Sequence, residues 1–398
     1  MPLNQAILQL DSKFMEILLD KGADPNKVGL LDERTALGLA LHQDVSLSKV
    51  QLLIHHGSDV NKPSVWGTPL EQVARGAFHL SDALQICQLL LAAGADVNAS
   101  TGSTALQLAV ANDDVELAKF LVEVGANVNT SSIRTNALQL AVSNNNLDLV
   151  NFFLDEGASV DASVAGQTAL QTAANLENLE LVKNLIDRGA DTDANFPDSL
   201  ATALQYAAMR GNIEIVKYLV DNRASVNEEA SPYYNATALG LAVVNNHTRV
   251  AIFLIEKGAS IDANPALYGG ATLLQIASRH GNHEIVTCLV GNGAAVNAAP
   301  ATERGATALQ FAAVNGNIKM AVLLLKNGAH VSAKGAEVDR RTALKGAAEH
   351  GRFDMVYLLL ENDEEPETIK ERCHNAAKFA EAEYHDVIAR ILRDYKRP

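Results

Sequence analysis

The sequence is poor in aromatic side chains, in cysteine and in cationic charge. Phe, Trp and Tyr make up 5% of 398 residues, so any place where they gather is informative. Cysteine occurs three times, as Cys87, Cys288 and Cys373. Three scattered thiols support neither a disulfide framework nor a zinc site, and a reducing, cytoplasmic compartment fits them best. Lys and Arg number 32 against 47 acids, a formal net charge of -15. That balance argues against nucleic acid as the main partner, because phosphate binding needs clustered cations. There is no run of 18 or more apolar residues, so no membrane span is expected. The start, Met1-Pro2-Leu3-Asn4-Gln5, has no basic segment ahead of an apolar core, so no secretory signal is expected. At 48% hydrophobic and 20% charged residues the composition is globular. Length alone suggests two or three domains of about 150 residues.

Internal repetition replaces that first division. Thr104-Ala105-Leu106-Gln107 recurs as Thr168-Ala169-Leu170-Gln171, Thr202-Ala203-Leu204-Gln205 and Thr307-Ala308-Leu309-Gln310. Looser copies begin at Thr35, Thr68, Asn136, Thr237, Thr272 and Thr342, with steps of 32 to 36 residues. Weaker copies at Met1 and Asn375 flank the series, which gives twelve units. Each unit predicts two short helices and a loop. Thr or Asn at the start is a good N-cap. Ala follows five residues later in nearly every unit (Val73 is the exception), and its small side chain lets neighbouring helices approach. The second helix is apolar on one side, as in Ile215, Val216, Leu219 and Val220. It usually ends at Gly, which suits the left-handed position that closes a helix. Arg223 and Asp363 stand where that Gly is missing, and a left-handed conformation there would cost roughly 1 kcal/mol each.

These residues resemble the ankyrin repeat, whose unit is 33 residues with a T-P-L-H-x-A signature. Thr68-Pro69-Leu70 and Gly94-Ala95-Asp96-Val97-Asn98 carry the likeness most closely. The family's His is Gln at 107, 139, 171, 205, 275 and 310, which can still brace a loop by hydrogen bonding. The T-A-L-Q form looks most like arrays of filamentous fungi, where a nucleotide-binding signalling module often precedes them. No such module is visible in these 398 residues. The resemblance implies an all-α solenoid of helix-turn-helix units with β-turn finger loops, forming a single domain over 1–398. Polar end caps are expected from Gln5 in the first unit and Glu381 in the last. From Thr68 to Gly94 is 26 residues where most units need 21, which predicts a longer turn near 76–80.

The resemblance also implies a binding surface. Partners of this family usually lie in a concave groove made by finger tips and the ends of the first helices. Fingers lengthen from 10–13 residues in the first half to 13–14 in the second. Bulky and cationic residues gather there and at the matching helix ends. The candidate partner-binding residues are Tyr206, Met209, Arg210, Tyr233, Tyr234, Tyr268, Arg279, His280, Arg304, Arg340 and His350. Tyr and Arg are typical hot-spot types. The expected function is a non-catalytic scaffold, a monomer, that takes an acidic protein or peptide through units six to eleven. A small-molecule-binding or catalytic use of the same groove, with Glu349 beside the histidines, is the alternative. No nucleophile–base pair, metal spacing or phosphate loop accompanies it, and no cofactor is expected. His55-His56 reads as a surface pair at a helix end. Arg390, Arg393, Lys396 and Arg397 read as a solvated terminus. Cys87 and Cys288 read as buried hydrophobes, with Cys373 exposed.

Overall fold

A computed structural model describes residues 2–9, 12–28, 34–43, 47–76, 80–132, 135–194, 201–229, 236–262, 270–300, 305–335 and 341–396. The described residues form 24 helices and no extended strand. First helices are short, as in Ala105–Ala111 and Ala203–Arg210, and second helices mostly span nine residues, as in Val115–Glu123 and Ile213–Asp221.

In most repeats both helices start on a side-chain cap; the second helices that follow His247, Arg352 and His385 do not. Thr68, Thr104, Thr168, Thr202, Thr272 and Thr307 each close a capping box with the Glu or Gln three residues on. Asp114, Asn146, Asn178, Asn212, Asn282 and Asn317 cap second helices by accepting the backbone N–H three residues on, without the reciprocal bond. The closing glycines, such as Gly94, Gly125 and Gly293, are left-handed. Arg223 takes the same conformation at φ 74°. Asp363 does not belong to this set. It is buried, its Oδ1 accepts the Glu365 N–H at 2.9 Å, and it pairs with Arg372. The expected strain at 363 is thus replaced by a buried ion pair that shapes the chain reversal.

The Gln that replaces the family's His has two jobs here. In Gln205, Oε1 accepts the Thr202 N–H at 3.0 Å while Nε2 donates to the Glu229 carbonyl in the next loop at 2.8 Å. Gln107, Gln275 and Gln310 repeat the pattern toward Thr130, Ala298 and Ala333. One side chain therefore fixes its own helix start and the root of the following finger. A second row of bonds joins the loops. Asn61 accepts from the Asp96 N–H at 2.8 Å and donates to the Gly94 carbonyl at 2.9 Å, and Asn26, Asn98, Asn129, Asn227 and Asn297 act alike.

Contacts divide the chain into two compact units, residues 1–191 with 196–198, and 192–195 with 199–398. In each, first helices pack on first helices and second on second, with the repeated Ala fully buried between them. In the first unit, fingers close as tight turns, with bridges Ser64–Gly67 and Val164–Gln167. Ala165 and Gly166 both have positive φ, as a two-residue hairpin turn of this hand requires.

Three expectations change. The extra residues of the third repeat lengthen its second helix, Leu80–Ala92, to 13 residues rather than only its turn. Asn375 does not start a helix; it lies within the 14-residue helix Ile369–Ala382. Cys373 is buried, not exposed.

Candidate interaction surface

The proposed surface rests on the ends of first helices in the second unit, at Ala203–Arg210, Leu273–His280 and Ala343–Glu349. A helix end leaves carbonyls without partners, so whatever polar side chain stands nearby is drawn to them. That demand decides the role of most residues there. His280 Nε2 bonds the Val244 carbonyl of the preceding repeat at 3.1 Å. His247 does the same to Met209 at 2.9 Å, and Asn315 to Arg279 at 3.2 Å. His350 bonds its own Gly346 carbonyl through Nδ1 at 3.0 Å. In the first unit Asn112 reaches the Ala74 carbonyl at 3.0 Å, and Asn144 that of Val110 at 2.6 Å. Where its bonds cross to the preceding repeat, as at His280, His247, Asn315, Asn112 and Asn144, this polar row also staples neighbouring repeats together.

Tyr206 is a correction. It is 2% exposed and packs inside the first helix layer, because four residues past the cap is an inward position. It offers no surface to a partner. Arg210, Arg279, His280 and His350 are exposed, and Met209 is half-buried. Tyr233, Tyr234, Tyr268, Arg304 and Arg340 lie outside the described residues. Beside them, Arg341 donates from Nη2 to Glu349 Oε1 at 3.0 Å, an ion pair that ties a finger root to the helix end. In the first unit, Arg34 lies over the Trp66 ring at 5.5 Å, and Arg75 Nε donates to the Trp66 carbonyl at 3.2 Å. A surface hollow of about 490 Å³ also lies in that unit, lined by Ser143, Asn145, Leu176, Glu177, Asn178 and Leu179.

Burial raises all three thiols, although Cys288, expected to be buried, is only half-buried. The Cys87 thiol is pushed up to about 12 by desolvation, helped by the Asp114 charge. Cys373 rises to about 11, again by burial first, with Asp363 raising and Arg372 lowering it. Among the described residues, no group of three or more His, Cys, Asp or Glu is placed to hold a metal ion. No described helix is long and apolar enough to cross a membrane.

Family models described as ankyrin repeats match residues 46–132, 77–164, 129–196, 170–265 and 274–371, and a second such model matches 241–290. The chain belongs to the ankyrin-repeat family. Its all-helical repeats and capped, glycine-closed helix pairs are the ankyrin architecture. Among curated proteins it is similar to the human ankyrin repeat and SOCS box protein 6, at 34% identity over 131 residues. The protein of the same name from Pongo abelii matches at 33% over the same length. Each match covers 30% of this chain and 30% of the relative, so the chain matches less than a third of the length of these relatives. Ankyrin repeats generally serve as protein-interaction modules, and that coarse role holds here.

What sequence reasoning missed is a set of exposed apolar residues at the end of the second unit, Phe353, Tyr357, Tyr384 and Val387. The available signal was the periodicity of the last two second helices, where apolar residues continue onto outward positions.

Proposed function

We infer that the chain is a non-catalytic binding module that takes an acidic protein segment on the first-helix ends and fingers of its second unit. The observation that carries this is the exposure of Arg210 and Arg279, each in the last turn of a first helix, within a chain of net charge -15. A planar guanidinium pairs with carboxylates in a two-pronged geometry, which favours an acidic ligand. Met209, His280 and His350 supply the contact area around these cations. The finger residues Tyr233, Tyr234, Tyr268, Arg304 and Arg340 complete the surface in this reading.

The test is selection of displayed peptides against the whole chain. Enrichment of Asp- and Glu-rich peptides is expected, with loss of their binding in the double variant Arg210→Glu/Arg279→Glu. Selection of peptides without acidic bias, or equal binding by a folded double variant, would sink the reading. A second variant, Arg304→Glu/Tyr268→Ala, separates the fingers from the helix ends.

A further inference from the structure

The single tryptophan of the chain, Trp66, stands at a finger tip in the first unit and is 43% exposed. The finger itself does not demand it. Its tip is two residues, Val65 and Trp66, between the bridged pair Ser64 and Gly67. The finger bridged at Val164 and Gln167 has the same length and carries Ala165 and Gly166 at its tip. Small residues therefore close a finger of this size, and the indole is surplus to the loop.

Two arginines are anchored on this residue. Arg34, at the root of the preceding finger, lies over the indole with its guanidinium carbon 5.5 Å from the ring centroid, a cation–π contact. Arg75 closes the first helix Pro69–Ala74, and its Nε donates to the Trp66 carbonyl at 3.2 Å. Arg75 thus spans from helix end to finger tip. Its side chain is exposed, and Nε is the one nitrogen of it that a described residue engages. A carboxylate lies beneath the finger at Glu71, where a Cβ on Gly67 would collide with Oε2. Glu71 is fully buried, and Thr68 and Thr101 take up both of its oxygens. Two guanidiniums against one buried, saturated acid leave the tip cationic in a chain of net charge -15. Trp and Arg are the residue types that dominate binding energy at interfaces. Side chains already held in place also lose less freedom when a ligand arrives.

We propose that Trp66, Arg34 and Arg75 form a clamp for a partner segment in which Asp or Glu stands beside a large apolar side chain. The carboxylate pairs with the Nη groups of Arg75 as charge-assisted hydrogen bonds. The apolar side chain covers the part of the indole that now faces water. Charge selects the occupant. A basic segment is repelled by both arginines. A second copy docking tip to tip would set the same cations against each other, since a two-fold interface pairs identical surfaces. The clamp lies in the first unit, so it stands independently of the reading of Arg210 and Arg279 above.

The experiment uses the full chain and a twelve-residue peptide that alternates Asp or Glu with Leu or Phe. Two control peptides replace the acids by Lys, or the apolar residues by Ser. Because the chain has one tryptophan, its emission reports on this clamp alone. Titration with the unlabelled acidic peptide should shift that emission saturably. Anisotropy of a fluorescein-labelled copy should give the same affinity, with at least tenfold weaker binding of each control. Trp66→Gly, which copies the tip residue Gly166, and Arg75→Gln should each weaken binding at least fivefold with an unchanged melting temperature. Arg210→Glu/Arg279→Glu should leave the emission shift unaltered. Asp32→Asn/Glu33→Gln, which removes the acids preceding Arg34, should bind at least as tightly as wild type. The proposal is overturned if the acidic peptide fails to bind or binds without changing the emission. It is equally overturned if the three peptides bind alike, if the Trp66 and Arg75 variants bind like wild type, or if the Asp32/Glu33 variant binds more weakly. Should Trp66→Gly fail to fold, Arg75→Gln decides.

Discussion

Glu71 occupies the place that Gln holds in six other repeats, and replacing it by that Gln should weaken the protein. Its side chain is fully buried. Oε2 accepts the Thr68 N–H at 2.7 Å, which completes the capping box. Oε1 accepts the Thr101 N–H at 2.7 Å, and Oε2 also accepts the Thr101 hydroxyl at 2.8 Å. In the other repeats the following loop offers a carbonyl, and the Gln amide donates to it. Here the loop offers donors, so only an acceptor-only side chain fits. In Glu71→Gln the new Nε2 would confront the Thr101 N–H, donor against donor. A hydrogen bond to a charged group contributes about 1.5–3 kcal/mol. Relief of the buried charge offsets part of that loss, and Thr101 is exposed enough to regain water. The expected net destabilisation is about 1–2 kcal/mol. The converse change, Gln205→Glu, sets a carboxylate oxygen against the Glu229 carbonyl and should cost about 2 kcal/mol or more. Repeat arrays unfold through coupled neighbours, so urea unfolding should be paired with amide exchange at Thr101. A Glu71→Gln chain as stable as wild type, with Thr101 equally protected, would refute this account.

Three further substitutions test the backbone and the loop ladder. Arg223→Gly removes a left-handed non-glycine residue and should stabilise by roughly 0.5–1 kcal/mol in urea unfolding, whereas Asp363→Gly should destabilise by removing the buried carboxylate that holds Arg372 and the Glu365 N–H. Asp161→Asn supplies the hydrogen that the ladder lacks at this rung; the carboxyl accepts the Asp191 N–H at 3.0 Å but, when ionised, donates nothing. Burial chiefly raises the Asp161 pKa, the Asp191 N–H lowers it and the Asp191 charge raises it again. The folded state thus holds this proton more tightly than the unfolded state, and stability should fall as pH rises through the window between the two values. Asp161→Asn should abolish that contribution, which unfolding curves taken from pH 4 to 7 would reveal.

The parts of this fold that the sequence displayed are those that every repeat solves identically. Thr and Asn caps, the buried Ala and the closing glycines recur because each repeat meets the same unsatisfied backbone groups and the same close helix contact. Their period is therefore visible in one dimension. The errors fall where a residue answers to a partner about one repeat away. Polar residues at the first-helix ends looked like free groove lining, yet His280 bonds Val244, 36 residues back, and Asn112 bonds Ala74, 38 back. Tyr206 looked like an aromatic at the rim and is core. Asp363 looked like a strained glycine substitute, and its explanation is Arg372 on the next helix. The same logic bears on the proposed interaction surface. Helix-end residues are already engaged in holding repeats together, so a functional argument for them must rest on Arg210 and Arg279, whose charge exceeds what a carbonyl brace requires. Tyr384 and Val387 are largely in water and contribute little to folding, whereas Phe353 and Tyr357 are more than half buried.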